Sequence, residues 1–411
     1  MKRWIAAVLS ALTVCNICAF AADQADPTDE AETGPVKLSF QTLEDTVRKN
    51  NVTIKANDNT VKNVEETDVT DDYFMQYVKL ADQIAALEKE IKRLDAAMKE
   101  FSDQSDPGYR ALKVQRDSLK KSLASLQDSY NDLDDDEDDA KDEHKFTVDG
   151  TRRQMQNAGD LICMSAENTY ISLQMLAYSQ NDIERSIAQL DRQITAGKIS
   201  VQRGSMSQNA LKSLQSQREG LLASRNSLRT QYDNLSNTLA IQCGYPTGTA
   251  LETEALPAVT QQELDAVQYD ADLAAALANS YSIWSKEDAV RQASDAYERG
   301  DTYNLYAYDA AKIALDAEKE NVTASFRKLH KALEEAETKR TAAQADLELA
   351  QKNYTLKSTQ YSRGMISRTA YSDAQDAFAA AQEAYGSAQT ALLTAYNNYQ
   401  WAKRGVMSAA A

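Results

Sequence analysis

The chain has 411 residues and sets 45 Lys+Arg against 62 Asp+Glu, a formal net charge of −17. Such a surface repels nucleic acid and anionic lipid headgroups, which excludes nucleic-acid binding. Thirteen Gly and five Pro leave few places to turn, so a composition rich in helix formers implies long rods rather than globules. With His144 and His330 as its only histidines, the chain cannot assemble a His-based triad or metal cluster within one protomer. No enzyme activity, cofactor or metal is expected.

Lys2 and Arg3 precede an apolar stretch over residues 4–20, and Ala19 with Ala21 forms a small-x-small site. Residues 1–21 therefore read as a secretory signal peptide, cleaved after Ala21. A retained anchor is the alternative, but Ser10, Thr13 and Asn16 interrupt the stretch, which is short for a span. Val14 ahead of Cys15 does not suit lipid attachment. Residues 22–37 are acidic and lack apolar periodicity, as in a disordered leader.

Helical periodicity begins with Leu43, Val47 and Ile54. Leu80, Ile84, Leu87, Ile91, Leu94 and Met98 then step by four and three, which keeps one seam on a helix. After Asp106-Pro107-Gly108 the seam resumes at Leu112, Leu119, Leu123, Leu126, Tyr130 and Leu133. Residues 73–133 are thus predicted to form an inserted coiled-coil hairpin. The acidic run 134–149 reads as a solvated linker, since it lacks the turn Gly of an EF-hand calcium loop.

A long hairpin is predicted over 150–243, with Ile162, Ala166, Leu173, Leu176, Ile187 and Ile194 on one arm and Leu211, Leu221, Leu228 and Leu239 on the other. Its tip is residues 197–207. After a linker over 247–262, the pattern recurs in 263–407 as a second long hairpin, 305–407, whose tip is 361–367. The falling arm alternates large residues with alanine: Tyr371, Ala374, Phe378, Ala381, Tyr385, Ala388. That pattern lets a neighbouring backbone come close and reads as packing rather than a ligand ladder. The halves match by sequence. Gly197-Lys198-Ile199-Ser200 pairs with Gly364-Met365-Ile366-Ser367, and Arg203-Gly204-Ser205-Met206-Ser207 pairs with Arg363-Gly364-Met365-Ile366-Ser367 about as well, leaving the register open by one heptad. Leu43, Val47 and Asn50 correspond to Leu273, Leu277 and Ser280. The fold class is all-α, with repeats at 38–246 and 263–407 and no transmembrane β-barrel.

A short helix bearing Lys49-Asn50-Asn51, a long hairpin with a Gly-x-Ile-Ser tip, and a second copy of both resemble the TolC family of outer-membrane efflux proteins. The resemblance covers nearly all of the mature chain except 72–149. It implies a homotrimer whose hairpins join into a hollow helical cylinder, with tips that meet a periplasmic adaptor or transporter. The docking residues it implies are Gly197, Ile199, Ser200, Gly204, Gly364, Ile366 and Ser367. Each glycine has the simpler reading that it ends a helix. Some family members narrow the cylinder mouth with two acidic residues beyond the tip glycine; here those places hold Ala370 and Asp373, so Asp373 alone matches. The family's shared barrel has no room in this sequence. Only residues 298–303 follow Tyr297 before the next helix, where two strands of about nine to eleven residues would be needed. The expectation is an exported, barrel-less TolC-like component of an efflux or export assembly in the cell envelope. Its membrane contact would come only through partners or assembly. An envelope scaffold that tethers or regulates a cell-wall enzyme is the alternative.

After signal removal, Cys163 and Cys243 are the remaining cysteines. Cys163 lies 34 residues before Gly197 and Cys243 lies 36 after Ser207, which at about 1.5 Å per residue sets them level on opposite arms. An oxidising compartment then permits a disulfide across the hairpin base, the alternative being two semi-buried thiols.

Overall fold

The computed structural model describes residues 35–298 and 304–407. The predicted signal peptide 1–21 and leader residues 22–34 lie outside the described residues, as do 299–303 and 408–411. Helices α1 (Leu43–Asn50), α2 (Val52–Glu65) and α3 (Asp71–Met98) lead into α4 (Pro107–Gln202), a single helix of 96 residues. Helix α5 (Gln208–Gln242) returns along it. After α6 (Gln261–Asp265), the second half repeats the plan with α7 (Tyr269–Asn279), α8 (Tyr281–Glu298), α9 (Asn304–Ser362) and α10 (Arg368–Lys403).

Helix α4 starts where Asp106 accepts the Gly108 N–H at 2.6 Å and Pro107 occupies the first turn, a position where its missing N–H costs nothing. At about 1.5 Å per residue it is roughly 140 Å long. Its first part pairs with α3, burying Ile91, Leu94 and Met98 and setting Tyr77 edge-on to Tyr130 with centroids 5.1 Å apart. The expected linker 134–149 is not a linker: α4 passes through it unbroken. The run contains no Gly or Pro before Gly150, and lysines one turn away offset its charge, Lys141 to Glu137 at 2.8 Å and Lys145 to Asp142 at 2.8 Å. Charge density alone does not end a helix whose ends are held by packed seams. The inserted hairpin therefore shares its second helix with the long hairpin and extends to the end of α4 opposite the tip.

The two long hairpins lie side by side through α4 and α10. Trp401 and Asn397 bond Glu167, Asn168 bonds Asn398 at 3.3 Å, and ion pairs join Arg185 to Glu383 and Arg192 to Asp376. The partner numbers fall as α4's rise, so the helices are antiparallel, giving the lateral order α5–α4–α10–α9. Gly386 permits the close approach: a Cβ there would meet the Tyr178 ring at 2.8 Å.

Each repeat has its own core. Leu43, Val47, Tyr170, Leu173 and Leu239 pack in the first, and Ala276, Phe326, Leu333, Leu392 and Tyr399 in the second. At the base, Gly244 (φ 78) and Gly405 (φ 86) end α5 and α10 against the Asn50 and Asn279 carbonyls; an added Cβ would meet each oxygen at 2.4 Å. The Asn51 side chain donates to the Gln242 carbonyl at 2.8 Å, as Asn279 does to that of Lys403 at 3.4 Å. Burial corrects the sequence register by one residue: Asp272, Ala276, Ser280 and Ile283 hold the buried places of Leu43, Val47, Asn51 and Ile54. Apolar matching had selected Leu273 and Leu277 because the first equivalent place holds an aspartate. Lys403 Nζ at 2.6 Å and Tyr399 Oη at 2.9 Å make its burial tolerable.

Among the described residues the only strands are β1 (Val36–Leu38) and β2 (Leu251–Thr253), which pair in parallel with Val36 opposite Leu251. The ends of the expected leader 22–37 and linker 247–262 are thus ordered. Tyr170 Oη shares its proton between the carbonyls of Leu38 (2.9 Å) and Glu254 (2.8 Å), which fixes both segments to α4. No described helix is long and apolar enough to cross a membrane.

Candidate functional site

The hairpin tips are built alike, atom for atom. In the first, Gly204 N–H donates to the Val201 carbonyl at 3.0 Å and Ser205 N–H to that of Ser200 at 2.9 Å. The second has Gly364 N–H on Tyr361 and Met365 N–H on Gln360, both at 2.9 Å. Both glycines sit at φ +71, a left-handed conformation that closes a helix C-terminus and suits Gly. Three residues on, Ser207 Oγ accepts the Ala210 N–H at 3.2 Å and Ser367 Oγ that of Ala370 at 3.1 Å, capping α5 and α10. This settles the register: Gly204 is the counterpart of Gly364.

Gly197 is therefore not a tip glycine. It lies buried inside α4, where a Cβ would stand 3.2 Å from Met206 Sδ and 3.3 Å from Leu211 Cδ1. Its lack of a side chain lets the returning arm close on it. Ile199 and Ser200 occupy the last helical turns of α4, Ile199 being exposed. Gly204, Gly364, Ile366 and Ser367 are in the turns themselves, and Asp373 is exposed on the second turn of α10. The tip motifs also contain Arg203, Met206, Arg363 and Met365, which the implied docking set left out. Met206 and Ile366 tuck partly under their turns, while Arg203, Arg363 and Met365 are exposed. The two arginines make no ion pair among the described residues, so each tip presents a cation on an otherwise acidic chain.

The tips lie at the same end. The Arg192–Asp376 ion pair is 12 residues before Gly204 and 12 after Gly364, about 18 Å from each at 1.5 Å per residue. Near the second tip, Tyr361 stacks on Tyr371 (4.8 Å) and Tyr354 on Phe378 (5.4 Å). The hydroxyls of Tyr354 and Tyr371 meet at 3.1 Å. These rings join the arms. Cβ atoms added at Gly204 and Gly364 would meet nothing within 4 Å, so the outer face of each turn is open.

The expected disulfide does not form: Cys163 and Cys243 are free thiols, both fully buried. Helix α1 plugs the hairpin base, and both thiols pack into the core with Leu43, Val47 and Leu239 rather than bridging an open gap. Burial pushes both up to about 12. His330 packs between rings, with centroids 4.9 Å from Tyr269 and 5.9 Å from Tyr399. Among the described residues no group of three or more His, Cys, Asp or Glu is placed to hold a metal ion. Glu167 is the least expected polar group. It is 7% exposed and bonded by Trp401 Nε1 at 2.6 Å and Asn397 Nδ2 at 2.8 Å, and burial raises its carboxyl above the ordinary value.

No protein-family model and no curated protein matches the chain. Solved structures similar to it include the CmeC outer membrane channel of Campylobacter jejuni, at 11% identity over 95% of this chain and 94% of that one, TM-score 0.46. A membrane protein from Pseudomonas aeruginosa is 11% identical over 96% and 98%, TM-score 0.48. The outer membrane protein VceC of Vibrio cholerae is 9% identical over 90% and 96%, TM-score 0.46. Likeness at this level carries no functional weight by itself. The fold itself is an all-α pair of repeated long hairpins without a closed barrel among the described residues.

Proposed function

We propose that the chain is a non-catalytic, extracytoplasmic component of an efflux or export assembly, in which hairpins from three copies join into a helical duct and the tips dock a partner. The observation that carries this reading is the pair of equivalent open turns at one end of a four-helix layer. A partner tip of acidic character would meet Arg203 and Arg363 there. The layer has two edges, α5 and α9; α8 packs along the first part of α9, and the remainder of that edge supports closure by further copies. Leu349 and Leu356 are 60% and 54% exposed. Leu349 and Leu356 are one heptad apart and share a stripe, while Phe326 and Leu333, also one heptad apart, mark the buried side. An exposed stripe of that kind favours association. The envelope-scaffold reading uses the same helices and differs in needing no ring.

The tip experiment is replacement of Gly364 by Trp. A bulky residue at positive φ on the open face is expected to reduce export of the assembly's substrate while leaving helix content by circular dichroism nearly unchanged. Unaltered export would remove the tips from the account.

A further inference from the structure

Where the two repeats meet, α1, α4, the α7–α8 junction and the end of α10 enclose a cleft of about 450 Å³, within the range of small-molecule sites. The charged side chains lining it are Arg48, Arg153, Arg404 and Asp160, and Glu44 and Asp149 pair with the arginines from just outside the lining. Three aromatic rings share the lining: Tyr281, Trp284 and Trp401.

The arginines divide by how they are held. Arg48 is committed, paired to Glu44 at 2.7 Å and Asp160 at 2.5 Å. Arg153 gives its Nε to Asp149 at 3.0 Å and lies over Trp284, 5.2 Å from the ring centroid. Arg404 gives one Nη1 bond to Glu44 at 3.1 Å and lies 4.8 Å over Trp401. A guanidinium has five N–H donors, so Arg153 and Arg404 each keep several for a ligand. Each guanidinium stands over an indole, a cation–π contact that favours its position. Tyr281 stacks on Trp284 at 5.9 Å, extending the flat apolar wall.

We propose that this cleft binds a small amphipathic anion, a planar apolar ring system bearing a carboxylate or sulfonate, with its charge on Arg153 and Arg404 and its rings against Tyr281 and Trp284. Such a ligand bridges the repeats, because Arg153 belongs to α4 of the first while Trp284 belongs to α8 of the second and Arg404 caps its α10. Binding therefore stabilises the junction by mass action. This site is independent of the tips and of the export reading.

The test uses the full chain with 8-anilinonaphthalene-1-sulfonate and, as its uncharged counterpart, N-phenyl-1-naphthylamine. Of the three tryptophans, two line the cleft, so quenching of their emission reports occupancy directly. The expected result is saturable one-to-one quenching by the sulfonate, weakened by added salt, with the uncharged compound binding about tenfold less tightly. Arg153→Gln should weaken the sulfonate about tenfold, and Asn157→Asp should do the same by placing a negative charge in the cleft. Neither should alter the uncharged compound, and Arg229→Gln on α5 should alter nothing. Absence of saturable quenching, equal affinity for the two compounds, or wild-type sulfonate affinity in both cleft variants would overturn the proposal.

Discussion

Gly204 and Gly405 both adopt a left-handed backbone, at φ 71 and 86, but under different constraints. Only the intrinsic conformational penalty opposes a side chain at Gly204, whereas at Gly405 a Cβ would also strike the Asn279 carbonyl at 2.4 Å. Gly204→Ala is expected to cost about 1 kcal/mol and Gly405→Ala about 3 kcal/mol or more, measured by denaturant unfolding. Two buried carboxylates should respond to pH with opposite signs. Burial raises Glu167 above the ordinary 4.5, with Glu44 adding repulsion. Its stabilising contribution is complete below that value and is lost as pH rises through the folded one. Glu167→Gln keeps the acceptor for Trp401 and should raise Tm by roughly 1–3 °C at pH 7, with the gain vanishing near pH 4. For Asp272, burial pushes upward but bonds from Lys403 and Tyr399 prevail and hold it below 3.8. Its contribution is present above 3.8 and lost as pH falls, so Asp272→Asn should lower Tm at pH 7, the deficit shrinking under acid. Thermal melts of both variants across pH check the signs. Neither carboxylate was legible in the sequence, because burial of a single charged residue depends on partners more than 100 positions away. The left-handed glycines were half legible: motif matching offered Gly197 and Gly204 equally, and only backbone geometry separates a packing glycine from a turning one.

At the scale of elements, the long arms were legible because heptad seams such as Ile187, Ile194, Leu211 and Leu239 state their period directly, and all four are buried. The acidic stretch 134–149 was misread because a run of like charge was taken for a solvated linker. Those residues need no core face: they continue a rod already fixed by Leu133 on one side and Cys163 and Ala166 on the other, all buried. Backbone amides across 134–149 are accordingly expected to exchange more slowly than those of the turn between α3 and α4, as read by hydrogen–deuterium exchange. Unprotected amides throughout that run would restore the linker. The thiols were misplaced for a related reason. Counting residues correctly set Cys163 and Cys243 level, but it could not show that α1 brings Leu43 and Val47 into the core that buries both thiols. Both should remain free in the folded protein and react with alkylating reagent only on unfolding.

On the scale of the whole molecule, a single layer of four helices leaves most side chains beyond the two cores only partly covered. Fully buried residues concentrate near the base, whereas Leu349 and Leu356 on the outer face of α9 stay exposed. Such a layer gains its missing contacts when the α9 edge of one copy meets the α5 edge of the next, and three copies would close the surface. Leu349→Asp with Leu356→Asp should abolish that association without reducing helicity, since neither side chain supports the fold of one copy. The mass of the mature protein in solution, followed by sedimentation equilibrium from micromolar to near-millimolar concentration, tests the duct most directly. A concentration-dependent trimer, lost in the double aspartate variant, is the expected result; a strict monomer at the highest concentration would contradict it and leave the scaffold reading in its place.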